Sequence, residues 1–377
     1  MRPLVEKLEY WFRHRLVYPL LRFIFRNPES NAPLHLHSIR KILILRYDRL
    51  GDMIVTTPIF RTLKSIHPAL SIGVFASPGN AELIKKNPFI DTIFLLEKNW
   101  FRLFKEILRA RREQYSVVLN FIFNRTTSGA LLANIIAPEG YKVGQGDEKY
   151  RFYYNRLLKL DRLKAHMVET LYSIIDQVFH ESAEGKRFPF EIFIDEKSKA
   201  AVDRYLRTHN LVRYGSPRTE GNRYILLNPS AGDRERQISQ TQAKGLMEFM
   251  ATLHPEKTIS IVAPNDTEMI GLLKRESKKN NLLLYPEEGV ASLLEIASLL
   301  EGALFAITPD TSIVHFASAM KTPVLGIYTP LKEVHEWLPY QVPYAAVRAE
   351  EQKPVSSIPI ETLVAAVKNF SGSMKNR

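Results

Sequence analysis

Cysteine is absent from this sequence. Disulfides, thiolate nucleophiles and thiolate-ligated zinc are therefore excluded, and a reducing compartment is compatible. No Asp-x-Asp pair occurs, and no histidines and carboxylates fall at metal-ligand spacing, so neither a catalytic metal nor a cofactor is expected. The first strand-like segment is followed by neither Gly-x-Gly-x-x-Gly nor a P-loop, which argues against nicotinamide and kinase chemistry. A Gly-x-Ser-x-Gly elbow is missing too, leaving Ser-His-Asp hydrolysis unsupported. Long apolar runs are also lacking. Charges interrupt every stretch that approaches the roughly 20 apolar residues a membrane span needs, and no small-residue cleavage site follows a clean apolar run.

What is present is a globular composition. A chain of 377 residues, 45% hydrophobic and 24% charged, suits two domains of about 150 to 200 residues each. Lys and Arg number 52 against 40 Asp and Glu, a net charge of +12 that attracts anionic partners and is weakened by salt. The first 26 residues are locally cationic. Within them Leu4, Leu8, Trp11 and Phe12 share one helical face, Arg2, Glu6, Glu9 and Arg13 the other, and Leu20 to Phe25 form an apolar cluster interrupted by Arg22. Such a segment serves equally as an anchor lying on an anionic membrane or as a helix packed on the first domain. Basic and aromatic stretches at 100–112 and 149–164 match no nucleic-acid module, and no nucleic-acid partner is expected.

From residue 41 strands alternate with helices, which predicts a parallel sheet covered on both faces. Strands are expected at 41–46, 71–76, 91–96 and 116–121, with helices at 53–66, 80–86 and 101–112. Residues 140–220 are less regular, and the turn-rich 215–222 segment reads as a linker. The alternation restarts with strands at 223–227, 258–263, 282–285, 303–307 and 323–328 and helices between them. The expected organisation is an extension (1–40), a first Rossmann-like domain (41–215), a second (216–350), and a C-terminal segment (351–377) whose helix, 360–370, could pack back on the first. Ligands of such sheets bind beyond the carboxyl ends of the strands, so the site is expected in the cleft between the domains.

Three strand-to-helix junctions could carry chemistry. In Arg46-Tyr-Asp-Arg-Leu-Gly-Asp52, Gly51 permits a tight turn and Asp52 stands at a helix start, as a general base or as an ordinary N-cap. In Leu227-Asn-Pro-Ser-Ala-Gly-Asp233, small residues admit a phosphate, with Ser230 and Arg236 as donors; an Asn-Pro turn is the alternative. In Thr308-Pro-Asp-Thr-Ser-Ile-Val-His315, Asp310 or Thr311 caps a helix whose N–H groups favour a pyrophosphate, and His315 is either a phosphate donor or a core histidine.

In this order and spacing, together with Thr57-Pro58 and Phe316-Ala-Ser-Ala319, the three blocks resemble glycosyltransferase family 9, the bacterial lipopolysaccharide heptosyltransferases, from Lys41 to about Pro330. The resemblance implies a GT-B fold of two doubly wound α/β domains, an ADP-heptose donor, inversion at the anomeric carbon and no metal. It implies Asp52 as the base and a donor site at Ser230, Ala231, Gly232, Arg236, Asn265, Asp310, Thr311, Ser312 and His315. Arg46 and Arg49 are then placed to hold an anionic glycolipid acceptor of the lipopolysaccharide inner core. A cytoplasmic enzyme with peripheral contact at the inner membrane is expected. Ser312 stands where many relatives carry Gly, and Arg236-Gln-Ile-Ser239 replaces a more usual Lys-x-Trp-Pro.

Overall fold

The computed structural model describes residues 15, 18–25, 27–123, 127–161, 165–217, 221–253, 257–277, 282–330 and 332–375. Two six-stranded sheets organise the chain, in the orders β3-β2-β1-β4-β5-β6 and β12-β11-β10-β7-β8-β9. In the first, β1 (Lys41–Leu45) pairs in parallel with β2 (Ser71–Ala76) and β4 (Val117–Asn120), flanked by β3 (Thr92–Leu95), β5 (Tyr141–Gln145) and β6 (Arg156–Leu158). The second centres on β7 (Tyr224–Leu227), which pairs with β8 (Lys257–Ser260) and β10 (Ala306–Pro309); β9 (Leu282–Leu284), β11 (Val324–Tyr328) and β12 (Tyr344–Arg348) complete it. Strand order reverses between β1 and β4 and again between β7 and β10. The three motifs leave the carboxyl ends of β1, β7 and β10, at these two switch points.

The helices are α1 (Tyr18–Ile24), α2 (Leu50–Ile66), α3 (Trp100–Arg112), α4 (Ser128–Ile136), α5 (Met167–Val178), α6 (Glu196–Thr208), α7 (Gln240–Met250), α8 (Thr267–Ser277), α9 (Leu293–Glu301), α10 (Ser312–Ala319) and α11 (Ile360–Lys375). Helix α2 is buried on nearly all sides because it lies between the first sheet and α10. It contains Pro58, which cannot donate to the Ile54 carbonyl; the Thr57 hydroxyl does so instead, at 2.7 Å. One apolar cluster runs from Ile44 and Phe60 through α2 to Ile313 and Phe316, so a continuous core joins the two domains. Fully buried side chains such as Phe60 each contribute about 1.5–3 kcal/mol.

Two expectations of organisation are corrected. Helix α6 packs on α9, with the Tyr205 hydroxyl donating to the Leu284 carbonyl at 2.8 Å. Glu191 still belongs to the first domain, its N–H bonding Thr57 Oγ1 at 3.0 Å. The chain therefore crosses over just before α6, ahead of the 215–222 turns, because the apolar side of α6 (Val202, Leu206) needs the second domain for cover. Helix α11 likewise stays on the second domain, where Leu363, Val367 and Phe370 fill a cluster with Met247 and Phe305. It does not return to the first.

The expected extension is partly a fixture of the first domain. Leu34 pairs with Phe179, Leu36 is buried, and Tyr141 donates to the Ser30 carbonyl at 2.7 Å. Leu4, Leu8, Trp11 and Phe12, the apolar face read from the sequence, lie outside the described residues.

Candidate active site

The first half of the site begins with an arginine drawn inward. Arg46 is fully buried just past β1. Its Nη2 donates to Asp52 Oδ1 at 3.0 Å and its Nε to the Asp52 carbonyl at 3.0 Å. Its Nη1 donates to Asp48 Oδ2 at 3.2 Å and to the Phe121 carbonyl, and the guanidinium lies over the Phe123 ring. A buried cation persists only when so paired. The expectation that Arg46 binds the acceptor is corrected: its donors are occupied internally and it does not line the cleft. Arg49, exposed at the cleft wall, stays available.

Asp52 is not an N-cap. Arg49 occupies that position without a side-chain bond, and Asp52 sits in the first turn of α2 with its carboxylate turned to Arg46. The side chain is 13% exposed, and Oδ2 has no hydrogen-bond partner among the described residues, so it can accept a proton from the cleft. Gly51 has no positive φ. Its small size matters instead because the His315 ring packs against its Cα, where a Cβ would lie 2.7 Å from His315 Cδ2.

On the second domain, Asn228 Nδ2 stitches the β7 and β10 junctions together, donating to Thr308 Oγ1 at 2.9 Å and to the Ser230 carbonyl at 3.1 Å. Thr311 is the N-cap of α10, its Oγ1 accepting from the Ile313 N–H at 3.3 Å. That cap and the Thr311 carbonyl take the Ile313 and Val314 N–H groups, so the N–H left for a cleft ligand at this helix start is that of Ser312, a cleft-lining residue. Arg236 Nη1 donates to Asp310 Oδ2 at 3.3 Å and its carbonyl at 3.4 Å. Burial raises the Asp310 carboxyl above its ordinary range, opposed by the charges of Arg236 and Arg49. Burial, with help from nearby His166, pushes His315 down to about 3, so the imidazole is neutral; its Nδ1 has no hydrogen-bond partner among the described residues. Trp337 stands edge-on to it, with centroids 5.7 Å apart.

These groups border one interdomain cleft of about 970 Å³. Asp52 and Arg49 reach it from the first domain, and Gly232, Arg236, Asp310, Thr311, Ser312 and His315 from the second. Three expected donor ligands do not line it. The Ser230 hydroxyl is buried and donates to Asp266 Oδ2 at 2.9 Å; Ala231 is half-buried and does not border the cleft; Asn265, next to that aspartate, is exposed outside the cleft. The sequence reading also missed residues. Asp48 lines the cleft with Oδ1 buried and without a partner among the described residues, and burial, reinforced by the Asp52 charge against the pull of Arg46, pushes its carboxyl up to about 6. Ser77, Gly79 and Asn80 line it too; Asn80 clamps the loop by donating to the Arg46 carbonyl at 3.2 Å. Small and polar residues at the carboxyl end of β2 were a usable signal for that loop.

Two doubly wound sheets with a polar cleft between their switch points define the GT-B class of transferases. Residues 100–359 match the family model for glycosyltransferase family 9 (heptosyltransferase). The chain belongs to that family and is a glycosyltransferase. The structure superposes on a family 9 glycosyl transferase from Veillonella parvula with a TM-score of 0.74 at 20% identity, covering 90% of this chain and 99% of the other. With the ADP-heptose lipopolysaccharide heptosyltransferase II of Escherichia coli the TM-score is 0.68 at 16% identity, covering 89% and 99%. Lipopolysaccharide heptosyltransferase 1 of Campylobacter coli is 20% identical over 305 residues, 76% of this chain and 83% of its own.

Proposed function

We propose that this protein transfers heptose from ADP-heptose to an inner-core sugar of lipopolysaccharide, with inversion and without a metal. The observation that carries the proposal is the confrontation of Asp52, on the first domain, with the N-terminus of α10 and Arg236, on the second, across one cleft. Asp52 Oδ2 takes the proton of the acceptor hydroxyl as its oxygen attacks the anomeric carbon. The bond from that carbon to the diphosphate oxygen breaks on the opposite face, and ADP departs. One displacement inverts the configuration.

Charge growing on the diphosphate is met by the Ser312 N–H at the positive end of α10, the neutral His315 ring as an N–H donor, and the Arg236 guanidinium. Arg49 is left to hold a phosphate or sugar-acid group of the acceptor. Relatives named as lipopolysaccharide heptosyltransferases support this choice of donor and acceptor.

The test is turnover of ADP-heptose with an inner-core acceptor in the presence of a chelator, by the native protein and by Asp52→Ala. Product from the native protein and a loss of about a thousandfold or more in the variant are expected. Equal rates would remove Asp52 as the base. Turnover only with another nucleotide sugar would replace the donor.

A further inference from the structure

The first domain carries an apolar surface that neither its core nor the cleft uses. Helix α3 has three faces. Leu103, Ile107 and Ala110 pack toward the sheet. Trp100, Phe101, Phe104 and Leu108 form a second stripe, 65%, 65%, 56% and 37% exposed. Arg102, Lys105, Arg109 and Arg112 form a third, also exposed, and Glu106 is the only acid on the helix. Scattered exposed hydrophobics are ordinary, but a continuous aromatic stripe marks a contact surface.

A second exposed apolar group lies on the same face of the first sheet. Helix α1 shows Leu20 and Ile24 to solvent, 60% and 57% exposed. It is held on the same side of the sheet, with Leu21 and Phe25 packed on Tyr153 and Ala130 and the Asn27 amide donating to Asn134 of α4 at 2.9 Å. This side faces away from α2 and the second domain.

We propose that this face docks on an anionic lipid bilayer. Trp100, Phe101 and Phe104 insert among the headgroups while the adjoining basic stripe lies over the lipid phosphates. Charge complementarity selects this occupant: an aromatic row flanked on the same helix by a row of cations, on a chain of net charge +12, matches a surface with acyl chains below and phosphates above. No helix among the described residues is long and apolar enough to cross a membrane, so the contact is superficial. Because α3 begins just after β3, Trp100 stands at the carboxyl edge of the sheet, the edge that holds the cleft. Docking there sets the acceptor half of the cleft beside the bilayer. The contact itself does not rest on the proposed reaction.

Sedimentation of the full-length protein with vesicles tests it. Binding is expected to phosphatidylcholine vesicles containing phosphatidylglycerol, far less to phosphatidylcholine alone, and less in high salt. Both W100S/F101S/F104S and R102Q/K105Q/R112Q should lower the partition coefficient by about tenfold or more, with the thermal midpoint unchanged. Native-like binding by both would overturn the proposal and direct attention to residues 1–26. A changed sedimentation velocity with unchanged vesicle binding would overturn it in favour of an interface between protein chains. If the substitutions unfold the protein, W11F/W337F leaves Trp100 as the single tryptophan. Quenching of its fluorescence by brominated phosphatidylglycerol supports insertion, and no quenching overturns it.

Discussion

Gly51 and His315 meet across the boundary between the two domains, the imidazole edge resting where a side chain at position 51 would begin. Gly51 has no left-handed backbone to protect, and within a helix alanine is favoured over glycine by about 1 kcal/mol. Contact is therefore the whole reason for glycine here. Gly51→Ala is expected to destabilise the protein by about 1–3 kcal/mol, the usual range for overpacking, and to lower turnover by pushing α10 from α2. In a His315→Ala background the same change should be neutral or stabilising. Urea unfolding of the four proteins in this double-mutant cycle measures the coupling, and additive effects would contradict the contact.

Arg46 gives a second expectation, about stability more than chemistry. It is the shared partner of Asp48 and Asp52, and Arg46→Ala leaves two carboxylates poorly compensated. A loss of about 3–5 kcal/mol is expected from breaking a buried pair in this way. Arg46→Lys keeps the charge but loses the fork that reaches Asp48, Asp52 and the Phe121 carbonyl together, so it should fall between the two. Denaturant midpoints, with turnover measured on the folded fraction, separate the structural loss from any loss in rate.

Arg46 also shows where sequence reading stops. Its place after a buried strand, with Gly51 and Asp52 at the start of a helix, was legible because strand period, helix signals and the switch-point rule all act locally. Which way its guanidinium turned was not, since that depends on Phe121 and Phe123, distant in sequence. The same distance hid the Ser230 bond to Asp266. Strands β5, β6 and β12 were missed for a related reason: they are short edge or near-edge strands, weakly patterned on their own. The corrected courses of α6 and α11 follow from tertiary burial, which overrides the position of turn residues.

Two histidines at the interface give the protein an acid-sensitive term. The ordinary value is 6.5; burial pushes His315 down to about 3 and His166 to about 4. Below pH 6.5 the unfolded chain therefore binds protons that the folded protein refuses. The stabilisation is complete above 6.5 and is lost progressively as the pH falls toward those lower values. At pH 5 the loss is about 2 kcal/mol for each group. Urea unfolding at pH 7.5 and pH 5 should show native protein losing about 2 kcal/mol more than His315→Gln. Equal losses would mean that position 315 takes up its proton freely in the fold.

Asp48 makes the last prediction, about rate. Its carboxyl is pushed from 3.8 up to about 6 by burial first and by the neighbouring Asp52 charge, with Arg46 and Arg49 opposing. Above about 6 Asp48 is ionised, and it shares the Arg46 guanidinium with Asp52. Below it Asp48 is neutral, and the cleft loses a negative charge that favours departure of the acceptor's proton. Transfer should therefore slow as the pH drops through about 6. Asp48→Asn fixes the neutral state at every pH, so it should show a rate about tenfold lower at pH 8 and little further change between pH 7 and 5.5. Profiles of kcat against pH for the two proteins, with the same donor and acceptor, make the comparison. A variant that keeps the native slope through pH 6 would show that another group titrates there.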